Sequence, residues 1–139
     1  MNPVEMIPQK DPFLFIDEMV DRTEDTIHTK KLVKESEDYF KGHFPGNPIM
    51  PGVLICEACF QSGALLMAHK GEGIASKTAV VSRIQNAKFK NMVKPGDQLD
   101  IKVDLKELIG PAAYMKAVAS VSGKKALIIE FAVTLVENK

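Results

Sequence analysis

His43 is the first residue whose type and setting suit chemistry. It lies in the stretch GHFPGNPIMPG, Gly42 to Gly52, where three Pro and three Gly fix an irregular loop with little conformational entropy left to lose. It is the one side chain of that loop with an unperturbed pKa near neutrality, which makes it the natural proton acceptor. Glu57 follows as the only acid in a long apolar run. Burial raises a carboxyl pKa, so this group can stay protonated and act as a donor. A base and an acid tuned by separate environments are what an elimination of water requires. Gln61, one helical turn beyond Glu57, shares its face and can orient the carboxyl or a water. Pro51 leads straight into Gly52 and Val53. A helix beginning there offers unpaired N–H groups and a positive dipole end to a carbonyl that gains enolate character. Each feature also has a structural reading: a lone His in a Pro/Gly loop serves as a turn residue, and a lone Glu in an apolar helix as a salt-bridged acid.

The elements that must position these residues follow from periodicity. The run from Val53 to about His69 is apolar nearly all round, so other elements must enclose it; Lys70 and the Gly71-Glu72-Gly73 stop close it. It is shorter than the ~20 residues that span a bilayer, and Glu57, Gln61 and Ser62 interrupt it. Ahead of the loop, Phe13 to Val20 and Thr26 to Val33 read as strands joined by the polar turn DRTED. Beyond the helix come Thr78 to Ile84, Ala87 to Val93, Gln98 to Ile109, Ala112 to Val121 and Ala126 to Val136. The clearest alternation is in the third of these, where Leu99, Ile101, Val103 and Leu105 alternate with charged residues. Hairpins predict an antiparallel sheet, and one wholly apolar helix is buried only if that sheet curls around it. The expected fold class is α+β, the hotdog arrangement, as a single domain over residues 1–139.

Composition agrees with a globular chain: 139 residues, 45% hydrophobic and 26% charged, with Lys+Arg 18 against Asp+Glu 18. Zero net charge excludes the global positive field that nucleic-acid binding usually needs, and it lowers self-repulsion, so oligomers are allowed. Cys56 and Cys59 cannot build a disulfide framework, and the N-terminus has Pro and charges where a signal peptide would be apolar. Both features predict a cytoplasmic protein.

The stretch GHFPGNPIMPGVLICEACFQ resembles the signature of the β-hydroxyacyl-acyl carrier protein dehydratases of type II fatty acid synthesis, the general Z-type enzymes in particular. IPQKDPFLFID near the start and NAKFKNMVKPGDQL later resemble two further segments of that family. The resemblance implies that His43 removes the α-proton of a 3-hydroxyacyl thioester and that Glu57 protonates the departing β-hydroxyl. It implies no cofactor and no metal, an acyl carrier protein as partner, and a homodimer, or a trimer of such dimers, in which the two residues come from opposite subunits. Glu rather than Asp at position 57 is similar to the Z-type and not to the isomerising A-type. The chain departs from the family pattern at Gln9-Lys10, Phe60 and Arg83.

Phe60 lies three positions beyond Glu57, where its ring either narrows an acyl tunnel or packs on the sheet as core. Lys88, Lys90 and Lys94, interleaved with Phe89 and Met92, read as a solvated face or as a dock for an acidic carrier protein. Cys56 and Cys59 have no second Cys pair and no His cluster beside them, which makes them core rather than metal ligands. His28 is expected in an exposed strand, and His69 at the helix end suits the negative dipole terminus. A thioesterase shares such a fold but does not normally carry the HFPG loop with a downstream helical Glu. A dehydratase of a specialised lipid or polyketide pathway fits the same motif, and the presence of both His43 and Glu57 argues against a non-catalytic partner subunit.

Overall fold

The computed structural model describes residues 3–70 and 77–137. The expected helix forms as α1 (Gly52–Ala68), and it carries no acid in its first turn and no base in its last. Its stability therefore comes from packing. Around it lie β1 (Glu18–Arg22), β2 (Thr26–Leu32), β3 (Lys77–Phe89), β4 (Gln98–Ile109), β5 (Ala112–Val121) and β6 (Lys124–Glu137). They form one antiparallel sheet in the order β1-β2-β4-β5-β6-β3, and α1 packs against β2 through β6. The alternation of β4 is realised: Leu99, Ile101 and Val103 are fully buried against the helix, joined from β5 by Ala113, Met115, Ala117 and Ala119. The small residues of β5 let the helix come close. At Gly63 an added Cβ would stand 2.7 Å from the Met115 sulfur and 3.0 Å from the Phe131 ring.

Three expectations need correction. Phe13 to Phe15 are not strand: the backbone N–H of Phe15 and carbonyl of Phe13 bond to the Gln61 side chain instead of a neighbouring strand. They form a strap across the helix, and pairing begins only at Glu18. Thr78 to Ile84 and Ala87 to Val93 are not two strands either. They are the single β3, which ends at Phe89 and absorbs its irregularity in bulges between Val81 and Arg83 and between Gln85 and Lys88, with Asn86 at φ 52°. Asparagine tolerates that left-handed conformation, so the pairing with β6 resumes beyond it. Nor is the helix enclosed along its whole length. Residues 61–67 are buried, whereas Val53 is 74% exposed and Leu54, Cys56, Glu57 and Phe60 are half-buried. The sheet of one chain covers the far end of the helix and leaves its first turns partly open. The Gly71-Glu72-Gly73 stop lies outside the described residues, but His69 caps the helix by donating from Nδ1 to the Leu65 carbonyl.

The close approach at Gly63 yields the first prediction. Gly63→Val overfills the contact with Met115 and Phe131 and should cost about 1–3 kcal/mol. Equilibrium denaturant unfolding measures it, and an unchanged midpoint would mean that the helix and sheet have slack at this point.

Candidate active site

The His43 loop is held from both sides. On the N-terminal side a short 3-10 turn, Asp38–Lys41, gives its Tyr39 carbonyl to the N–H groups of Gly42 (3.4 Å) and His43 (3.2 Å). On the other side the N–H of Met50 donates to the Val93 carbonyl (2.8 Å), fastening the loop to the segment that follows β3. The imidazole itself is fixed by Nδ1, 2.6 Å from the Ile49 carbonyl. A carbonyl only accepts, so the neutral ring carries its proton on Nδ1 and presents the lone pair of Nε2. Phe44 follows at φ 58°, a left-handed conformation unusual for an aromatic residue, with its ring centroid 4.3 Å from that of His43. Backbone strain of this kind persists where surrounding contacts over-determine it.

Glu57 projects from the partly open flank of α1. Burial pushes its carboxyl pKa up, and a hydrogen bond from Gln61 works in the opposite direction. Gln61 is buried and fully committed: Oε1 accepts the Phe15 N–H (2.8 Å), while Nε2 donates to the Phe13 carbonyl (2.8 Å) and to Oε2 of Glu57 (3.0 Å). The strap thereby settles which end of the amide is the donor. Because Oε2 of Glu57 accepts, a proton on this carboxyl sits on Oε1. Sequence spacing placed Gln61 beside Glu57; that it takes its orientation from the backbone of the strap had no signal, since the two segments are remote in the chain.

The helix start behaves as its sequence suggests. Pro51 offers no side-chain cap, and its carbonyl takes the N–H groups of Leu54 and Ile55, so those of Gly52 and Val53 are left for a ligand or water. A cavity of about 370 Å³ opens at this end, lined by Gly52, Ile55, Ile49 and Met50 and, across it, by Phe89, Lys90 and Met92. Gly52 lets the exposed Phe89 ring close over the helix start: a Cβ there would stand 2.8 Å from the ring and make it shift. The hollow is largely apolar, and Lys90 is its one charged lining residue. Lys88 and Lys94 are exposed on the same stretch of chain. Phe89 and the Ile49 carbonyl are parts of the candidate site that the sequence does not single out. The first carried only the mark of an apolar residue among lysines, and the second, a backbone group, carried no mark at all.

The structure does not join His43 to Glu57 by a hydrogen bond within the chain; each has its own partners. Phe60 lies edge-on to Phe131 with centroids 5.0 Å apart, a contact with the sheet that leaves its ring half-buried. Cys56 and Cys59 are free thiols whose pKa values burial pushes up, and no metal-binding cluster of His, Cys, Asp or Glu occurs among the described residues. His28 is not openly exposed as expected: its Nε2 lies 2.8 Å from Oδ1 of Asp100 across the β2–β4 pair, and both are half-covered. No helix among the described residues is long and apolar enough to cross a membrane.

A six-stranded antiparallel sheet curled on one helix, with a Pro/Gly loop that carries His43 running into the helix start, defines a hotdog protein. The dehydratase heterocomplex ApeI:P from Xenorhabdus doucetiae has this fold, with a TM-score of 0.82 at 12% identity over 100% of this chain and 92% of that one. The FabA-like domain family matches residues 7–132, and the chain belongs to that family. It is 41% identical over 120 residues to the 3-hydroxyacyl-[acyl-carrier-protein] dehydratase FabZ of Clostridium perfringens, covering 86% of each chain. It is 42% identical over 138 residues to the FabZ dehydratase of Caulobacter vibrioides, covering 95% of this chain and 84% of that one.

The raised pKa of Glu57 makes a prediction about stability. The folded state binds this proton more tightly than the unfolded chain, so as pH rises from the unfolded pKa through the folded one, stability falls. Glu57→Gln imitates the protonated carboxyl and escapes that loss. The variant should therefore melt above the wild type at pH 7, and the gap should close below about pH 4, where both states of the wild type are protonated. Thermal melts across that range read the effect; a gap that is absent or independent of pH contradicts it.

Proposed function

We propose that this protein is a 3-hydroxyacyl-[acyl-carrier-protein] dehydratase that converts a (3R)-hydroxyacyl thioester to the trans-2-enoyl thioester in type II fatty acid biosynthesis. The observation that carries the reading is a pair of opposite protonation roles set by separate partners. The Ile49 carbonyl keeps the His43 proton on Nδ1 and frees Nε2, while burial favours the protonated form of Glu57 and Gln61 leaves its proton to Oε1. In the reaction the Gly52 and Val53 N–H groups receive the thioester oxygen as it gains negative charge. Nε2 of His43 takes the α-proton, the bond from Cβ to oxygen breaks, and Oε1 of Glu57 gives its proton to the leaving hydroxyl, which departs as water. One proton passed from His43 back to Glu57 resets the site. No cofactor and no metal enter these steps.

The working unit in this reading is a homodimer, or a trimer of such dimers, in which His43 of one subunit faces Glu57 of the other. Two features support a second copy. β3 lies at the edge of the sheet, paired among the described strands with β6, and exposes Val80, Val81, Ile84 and Phe89. An unpaired apolar edge is a template for pairing. The flank of α1 that bears Glu57 is the part its own sheet leaves partly open. Phe60, packed on Phe131 near Glu57, sets the inner limit of the acyl space. Lys88, Lys90 and Lys94 meet the acidic carrier protein at the mouth of the cavity. The reading includes a cytoplasmic location, where Cys56 and Cys59 stay reduced.

Complementation tests the shared site. His43→Ala and Glu57→Gln should each lose dehydration by about 10²- to 10⁴-fold or more. Mixed after subunit exchange, the two proteins should regain part of the activity, because a mixed dimer holds one intact His43/Glu57 pair. No recovery in samples that native mass spectrometry shows to contain mixed dimers would place both groups in one chain.

Docking has a separate test. Reversing Lys88, Lys90 and Lys94 to Glu should raise KM for the carrier-linked substrate, most at low salt, and leave turnover of a small thioester mimic nearly unchanged. Equal losses on both substrates would remove the lysines from docking.

A further inference from the structure

Lys31 is the only charged side chain buried among the described residues, 3% exposed, and nothing in the reaction uses it directly. It is the last inward-facing residue of β2, after Ile27 and Thr29, so a strand already pinned to β4 carries it into the interior. Such a charge is expensive to hold unless it is paired. Its Nζ lies 3.2 Å from Oε2 and 3.4 Å from Oε1 of Glu37, with Oδ1 of Asp17 at 4.0 Å. Asp17 is itself fixed, since its Oδ2 accepts the N–H of Leu32.

Glu37 is the hinge of this arrangement. Its N–H donates to Lys34 and its carbonyl accepts from Phe40, so it opens the turn Asp38–Lys41. Within that turn the Tyr39 carbonyl holds the N–H groups of Gly42 and His43. Tyr39 is packed against Phe15 and Phe40, and Phe15 belongs to the strap that orients Gln61. The route from the sheet to the base is therefore short: β2, Lys31, Glu37, the turn, the His43 backbone.

We propose that Lys31 and Glu37 are positioning residues for the dehydration, an ion pair that ties the His43 loop to the sheet at a fixed register and keeps Nδ1 on the Ile49 carbonyl. Two apolar side chains would fill the space as well but would not fix direction. The inference rests on the dehydratase reading for its kinetic part only, because the tautomer of His43 can be observed without turnover.

The test uses the full chain with Lys31→Met, Lys31→Arg and the double variant Lys31→Met/Glu37→Leu, each assayed beside the wild type. Lys31→Met should lower kcat about 10- to 100-fold with KM nearly unchanged, as expected of a misplaced base, and Lys31→Arg should restore most of it. Single replacement strands the Glu37 charge and lowers Tm, whereas the double variant leaves only Asp17, whose carboxylate is 43% exposed and keeps the Leu32 N–H, and should recover Tm. Its kcat should stay low. In ¹⁵N-histidine spectra, with His43→Ala giving the assignment, the wild type should show the Nδ1–H form of His43 and the double variant a mixture of the two forms. A double variant that regains kcat together with Tm, or keeps a pure Nδ1–H signal, overturns the proposal and leaves the pair as ordinary scaffolding. A wild type that shows the Nδ1–H signal but no dehydration defeats the functional reading instead, and the spectra of the variants still decide the role of the pair.

Discussion

The enclosure of α1 is the constraint on which the rest depends. A helix this apolar must be covered, and the sheet can come close because β5 faces it with alanines and Gly63 has no side chain at the tightest contact. The same packing that seals residues 61–67 leaves the first turns partly open. That asymmetry decides where chemistry can occur. A carboxyl at the sealed end would be wholly desolvated, and one on open surface would ionise freely. Glu57, at the boundary, is desolvated enough for its pKa to rise and is still partly open to its surroundings.

Around that boundary, backbone groups do much of the positioning. Ile49 fixes the tautomer of His43, Phe13 and Phe15 fix the amide of Gln61, and the amides of Gly52 and Val53 at the helix start are left for a ligand or water. Backbone groups cannot swing as side chains do, so the site is organised before a ligand arrives, which is the condition under which electrostatic stabilisation is most effective. The carbonyls of Phe13, Tyr39 and Ile49 come from three segments, two of them joined by the rings of Phe15 and Tyr39.

Much of this was legible in the residues. The alternation in β4, the apolar run of α1 and the Pro/Gly loop carry their own periodicity and punctuation, and they led to the wrapped sheet and to His43, Glu57 and Gly52. What was not legible depended on partners distant in sequence. FLFID has the composition of a strand, yet the bonds that a strand neighbour would supply come from one Gln nearly fifty residues away. The bulges of β3 were read as an interruption because a period of two breaks there, although the pairing with β6 does not. Nothing in the sequence sets Lys31 apart from its neighbour Lys30 in β2. Its burial is a consequence of register, which alternation alone does not place against a specific partner such as Glu37.

The central claim is that this site eliminates water and does not cleave the thioester. Purified protein incubated with a (3R)-3-hydroxyacyl carrier protein, followed by intact mass measurement of the carrier, tests it directly. The account predicts a carrier that has lost one water and still bears its acyl chain, with a trans-2-enoyl group after release. A carrier returned bare, with free hydroxy acid in solution, or one that never loses water, would contradict it.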